Sequence, residues 1–131
     1  MAVSFEKIKI GNRYSRNDLA KLWGYASFHP LARGVVTPRG DHKIILFVTF
    51  KKTQAMEPYK DALRGDTLYW EGPTDHFAEP RMVETSDRSE DQIFVFCREN
   101  PYDDFRYEGK FVVRRYTPFI NKPSEFILKR L

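Results

Sequence analysis

The chain has 131 residues, 22 Lys and Arg against 18 Asp and Glu, a formal net charge of +4 and a sequence pI near 9.2. That length suits one domain that buries its own core, so residues 1–131 read as a single unit. The lone cysteine, Cys97, excludes an internal disulfide, and no apolar run is long enough to span a bilayer, so a cytoplasmic protein without a membrane partner is expected.

The opening MAVSFEKIKIG alternates charged and apolar residues, unlike a signal peptide, and residues 5–10 read as a short strand or an extended arm. A helix follows: Ser15 is a candidate N-cap with Asp18 three residues on, and Leu19, Leu22 and Trp23 fall on one face, placing the helix as a plug for one end of a β-structure. Residues 25–42 hold two prolines, two glycines and two histidines and read as a long loop with one short strand near residues 34–37; loops of this length in a compact domain are usually functional. IILFVTF (44–50) is apolar on both faces and is expected to be a central strand.

Residues 59–77, YKDALRGDTLYWEGPTDHF, are the most informative stretch, with four aromatics and four acids around a turn and a strand. Strand alternation sends Tyr69 and Trp70 to opposite faces; either both rings simply pack, or one is core and the other lines a cavity where a flat ligand stacks, with a carboxylate from Asp61, Asp66 or Asp75 on the ligand's edge. A strand at residues 81–83 is expected next. IFVFCR (93–98), FRYEGKFVV (105–113) with its continuation to Tyr116, and EFILKRL (125–131) then read as an antiparallel meander, with Glu108-Gly109-Lys110 as a bend between strands. The expected fold is α+β and mainly β, a small curled antiparallel sheet or partly closed barrel with one or two short helices.

Phosphate-cradling glycine loops, HExxH and Cys/His pairs at zinc spacing are all absent, and the three histidines are scattered. Cys97, inside an apolar run, reads as core. No catalytic residue, metal or cofactor is assigned.

The order of the pieces carries more than any one of them. IILFVTF, Tyr59-Lys60-Asp61, LYWEG (68–72) followed by Asp75, IFVFCR, FRYEGKFVV and the closing EFILKRL together resemble the modified-DNA-reading domain of type IV restriction systems. In that family the domain lies N-terminal to HNH nucleases or C-terminal to phospholipase-D-type nuclease–helicase fusions. The resemblance runs from Tyr14 onward and includes residues 34–38, similar to the family's GG-I-x-P segment; Trp70 stands where the family often has Tyr.

The resemblance implies an SRA-like or PUA-like β-barrel that reads a modified cytosine, 5-methyl- or 5-hydroxymethylcytosine, after turning it out of the duplex. Its partner would be double-stranded DNA with modified bases, and any nuclease or helicase activity would reside on another domain or subunit. Extrusion costs a few kcal/mol and one stacked ring returns only about 1–3 kcal/mol. Two rings plus a carboxylate are therefore expected, drawn from Trp70, Tyr69, Tyr59 and Tyr25 with Asp61 or Asp75. Phosphate contacts are expected from Arg33, Arg39, Lys51, Lys52, Arg114 and Arg115. A PUA-like RNA-binding domain and a protein-interaction module docking a nuclease or helicase subunit are the alternatives.

Overall fold

The computed structural model describes residues 3–51, 61–83 and 90–131. Their strands are β1 (Arg13–Tyr14), β2 (Val35–Val36), β3 (Lys43–Thr49), β4 (Ala62–Arg64), β5 (Thr67–Glu71), β6 (Gln92–Arg98), β7 (Phe105–Thr117) and β8 (Glu125–Arg130), with helices α1 (Arg16–Leu22) and α2 (Glu79–Val83). One open sheet runs β2-β3-β6-β7-β8-β5-β4, and β1 pairs with the start of β7. The fold is α+β and mainly β, as the sequence pattern predicts. One pair departs from the expected antiparallel arrangement: β3 and β6 run parallel through seven residues each, from Lys43 beside Gln92 to Thr49 beside Arg98. Both strands are apolar on both faces, the condition a parallel pair requires because each face must be covered.

Two cores flank the sheet. Ile45 and Phe47 of β3 and Phe94 and Phe96 of β6 point to one face, where the N-terminal arm, α1 and the loop after it cover them with Val3, Ile8, Leu19, Ala20, Trp23 and Leu31. Alternate residues Ile44, Leu46, Val48, Ile93, Val95 and Cys97 point into the curl of the sheet and meet Leu68, Trp70, Met82, Phe111, Phe126 and Leu128. Burial pushes the Cys97 thiol upward, so it is a core side chain rather than a nucleophile.

Strand β7 serves both cores because it is bulged twice. Its register against β6 skips Glu108, with Gly109 at φ +103°, and its register against β8 skips Arg114. A one-residue slip exchanges the faces of all that follows. Phe105 and Tyr107 thus join the outer core and Phe111 the inner one. The expected bend at Glu108-Gly109-Lys110 is a bulge inside one thirteen-residue strand.

Three further expectations change. Residues 5–10 form no ladder; the arm turns at Phe5, whose ring stacks 3.9 Å from Phe94. Helix α1 carries the expected capping box, Ser15 with Asp18, but it covers the outer face of the sheet instead of plugging an end, and Leu22 is exposed while Ala20 is buried. Residues 81–83 belong to α2 rather than to a strand, with Met82 fully buried. Among the described residues no helix is long and apolar enough to cross a membrane, and no group of His, Cys, Asp and Glu could hold a metal ion.

Candidate functional site

Alternation along β5 sends Trp70 inward and Tyr69 outward, and two clefts meet at that strand. The indole of Trp70 is 6% exposed and lies 5.2 Å from the Phe126 ring, centroid to centroid. Trp70 is thus a wall of the inner core whose remaining surface lines both clefts.

The smaller cleft, about 300 Å³, lies between the β2–β3 edge and the end of β5. Gly34, Phe47 and Thr49 line one side, and Asp61, Trp70, Glu71, Gly72 and Pro73 the other. Asp61, only 9% exposed, sits immediately before β4 and accepts a hydrogen bond from the Glu71 N–H at 2.8 Å, which fixes the carboxylate at the cleft. Gly72 lies close to Phe126: a Cβ there would stand 3.0 Å from the ring, so a larger residue would require the ring to shift.

The larger cleft, about 540 Å³, opens on the outer side of β4, β5, β8 and β7. Tyr69, 40% exposed, stands at its centre, with Arg64, Arg115, Glu71 and Glu125 around it. The Arg64 guanidinium lies 6.0 Å from the Tyr69 ring centroid.

The loop below the smaller cleft is held by a polar cluster. His76 Nδ1 lies 2.7 Å from the Glu79 carboxylate, the Tyr116 hydroxyl donates to the same carboxylate at 2.7 Å, and Ser124 Oγ is 3.4 Å from His76 Nδ1. Burial alone would raise the Glu79 carboxyl, but hydrogen bonds from Tyr116, His76 and Ser124 outweigh it and hold it below its usual value. His76 is raised, first by its hydrogen bond to Glu79. His76 and Ala78 both have positive φ, 58° and 65°, a costly backbone for residues with a Cβ. The cluster joins this loop to the residue that binds the cleft floor, since Ser124 O accepts from the Gly72 N–H at 2.9 Å.

Of the residues singled out from sequence, Asp61 and Trp70 come together in the smaller cleft. Tyr69 faces the larger one, and Tyr25 packs against the outer core. Asp75 is exposed; it accepts from the Phe77 N–H at 3.1 Å and pairs with Arg33 at 2.6 Å, and its carboxyl is held low chiefly by that amide. Tyr59 and Lys52 lie outside the described residues. Among the basic candidates Arg33 also lies 4.4 Å over Phe77, Lys51 pairs with Glu99 at 3.5 Å, Arg39 and Arg114 are exposed, and Arg115 lines the larger cleft.

Sequence reasoning passed over Arg16 and Arg98. Their guanidinium carbons lie 4.9 Å and 4.3 Å from the Phe105 ring centroid, and Arg16 is also 4.8 Å from that of Phe47. Burial, then the neighbouring charge of Arg98, pulls the Arg16 guanidinium down to about 10. No local signal joins residues 82 positions apart; the pairing of β1 and of β6 with β7 brings them to one ring.

Solved structures with this arrangement include SRA domains. The SUVH5 SRA domain in complex with methylated CHH DNA superposes with a TM-score of 0.59 at 14% identity, covering 100% of this chain and 94% of that one. The same domain with hemi-methylated CG DNA gives 0.57 at 17%, and with fully methylated CG DNA 0.55 at 15%, at the same coverage. The chain has an SRA-like fold. No family model matches the SRA-like chain and no curated protein matches it in sequence.

Proposed function

We propose that this SRA-like chain binds double-stranded DNA carrying a modified cytosine, 5-methyl- or 5-hydroxymethylcytosine, and takes the extruded base into the cleft between Asp61 and Trp70. The observation that carries the reading is the Asp61 carboxylate, almost wholly buried and oriented by the Glu71 amide at the wall of a cleft about 300 Å³ in volume. That volume is at the small end of the range for small-molecule sites, about 300–1,000 Å³. A carboxylate is an acceptor and the exocyclic amine of cytosine a donor, so the edge of the base and the wall are complementary. The solved structures that share the fold hold methylated DNA, which supports the same ligand class here.

Trp70 supplies one apolar wall of that cleft. The chain acts as a reader without catalysis of its own, in a type IV restriction system whose nuclease or helicase is carried by another domain or subunit. The test is a binding panel on one duplex carrying cytosine, 5-methylcytosine, 5-hydroxymethylcytosine, a glucosylated base or N6-methyladenine, with single-stranded RNA as competitor. Preference for a modified cytosine, without metal, nucleotide or strand cleavage, is the expected result. Preference for RNA or equal affinity for all duplexes overturns the reading.

A further inference from the structure

Two of the four half-buried arginines among the described residues are matched by an acid. Arg81 meets Asp91 at 2.6 Å, and Arg130 meets Asp66 at 2.7 Å and Glu108 at 3.0 Å. Arg16 and Arg98 are the other two, and neither makes an ion pair with a described residue. Arg16 donates through Nε to Leu31 O and through Nη2 to Arg33 O at 3.5 Å, and Arg98 donates to Thr49 Oγ1 at 2.8 Å and Asp103 O at 3.2 Å. The Asp103 carboxylate, by contrast, acts on Arg98 only through space, being engaged by the Asn100 N–H and side-chain amide at 3.1 Å and 3.2 Å.

Two like charges on one phenylalanine repel each other, and neutral carbonyl and hydroxyl partners compensate them less than an anion does. The pair and the smaller cleft share residues at the end of β3 and before β2, although the Phe47 ring that carries Arg16 belongs to the outer core. Phe47 and Thr49, which touch Arg16 and Arg98, line that cleft, and Arg33 O precedes Gly34, which lines it too.

We infer that Arg16 and Arg98 form a phosphate site beside the Asp61–Trp70 cleft, which takes the phosphodiester next to the extruded nucleotide. The inference rests on the proposed DNA reading and adds the residues that fix the backbone next to the base. A guanidinium fork suits phosphate oxygens, and guanidiniums already ordered by stacking and by Leu31, Thr49 and Asp103 lose little side-chain freedom on binding. Such a contact positions the strand and carries no base identity.

The test is the salt dependence of duplex binding by the full chain and its Arg98→Gln and Arg16→Gln variants. Modified and unmodified duplexes are compared, along with duplexes in which one linkage beside the modified base is a neutral methylphosphonate. Either variant is expected to lower the salt slope by about one unit and to weaken both duplexes by the same factor, leaving the modified-to-unmodified ratio unchanged. One methylphosphonate position should reproduce the loss and make the substitution silent.

An unchanged slope in a variant that melts as wild type overturns the site, as does a loss that persists at every methylphosphonate position. If a variant fails to fold, the Nε–H resonances of Arg16 and Arg98 in the wild-type chain must still shift on addition of duplex, and immobile resonances overturn the site as well. Wild-type binding that ignores the modification would overturn the base-cleft reading alone, because the slope comparison needs only phosphate. Absence of any duplex binding overturns both.

Discussion

The two clefts that meet at Trp70 are separated by one indole and share Glu71, yet they are chemically unlike. The outer one is larger, holds an exposed tyrosine, and mixes Arg64 and Arg115 with Glu71 and Glu125, which stand directly opposite each other in the β5–β8 register. Like charges so placed are unfavourable, and solvent screening is what makes them tolerable. The inner cleft is smaller, with a single buried carboxylate held by a backbone amide. Volume ranks these clefts one way and chemistry the other. A base needs a fixed, desolvated acceptor at its edge, and only the inner cleft has one among the described residues.

The largest expected effect tests the wall they share. Trp70→Ala removes a buried indole packed on Phe126 and should cost about 3–5 kcal/mol of folding stability, collapsing both clefts together. A melting curve reads this directly, and a variant that melts as wild type would show that Trp70 is not the common wall. Asp61→Asn separates the clefts. Its amide oxygen still accepts from the Glu71 N–H while a donor replaces an acceptor, so folding should hold and preference for modified cytosine should fall. A hydrogen bond to a charged group is worth about 1.5–3 kcal/mol, so the fall should be roughly tenfold to a hundredfold in relative affinity; unchanged preference removes the base from the inner cleft.

Tyr69→Ala is the mirror experiment. Tyr69 is 40% exposed and faces away from the inner core, so stability should change by about 1 kcal/mol and the preference should survive. Lost preference in a folded Tyr69→Ala chain would move the base to the outer cleft.

A smaller, pH-dependent effect concerns the loop under the inner cleft. Glu79 is held below its usual value of 4.5, so its contribution is complete above that value and is lost as pH falls through the lowered folded value. His76 is raised from 6.5, so its contribution is complete below that value and is lost as pH rises through the raised one. Thermal stability should therefore be flattest between these limits, and Glu79→Gln should blunt the fall on both sides. If the pH profiles of wild type and Glu79→Gln coincide, the cluster does not couple to folding.

Much of the scaffold was legible because its signals are local. The Ser15–Asp18 capping box, the apolar run of β3 and the strands β6 and β8 each follow from residues close in sequence. The arm was ambiguous because Phe5 and Ile8 do reach the core, by a turn rather than by pairing; β1 occupies the start of β7 instead. Helix α2 was misread as a strand because three residues cannot distinguish the two periods, and its burial rests on one side chain, Met82. In the site, alternation separated Tyr69 from Trp70 but could not say which was core. Asp61 and Asp75 were indistinguishable by spacing, and the fold decides their surroundings: one is pinned inside by the Glu71 amide, and the other caps a turn and meets Arg33 in solvent.

The parallel β3–β6 pair has a consequence for the order of events in folding. The crossover between them, residues 50–91, contains both Asp61 and Trp70, and β5 finds its sheet neighbours only in β4 and β8. The β6–β7–β8 meander joins strands close in sequence and closes short loops, whereas docking β5 on β8 closes a loop of more than fifty residues. Ribosomal synthesis therefore makes β3 early but leaves the inner cleft open until β8 has emerged. Pulse-labelled hydrogen exchange should find the β5 amides protected after those of β6 and β7, so that the chain completes its inner cleft in the final step of becoming native.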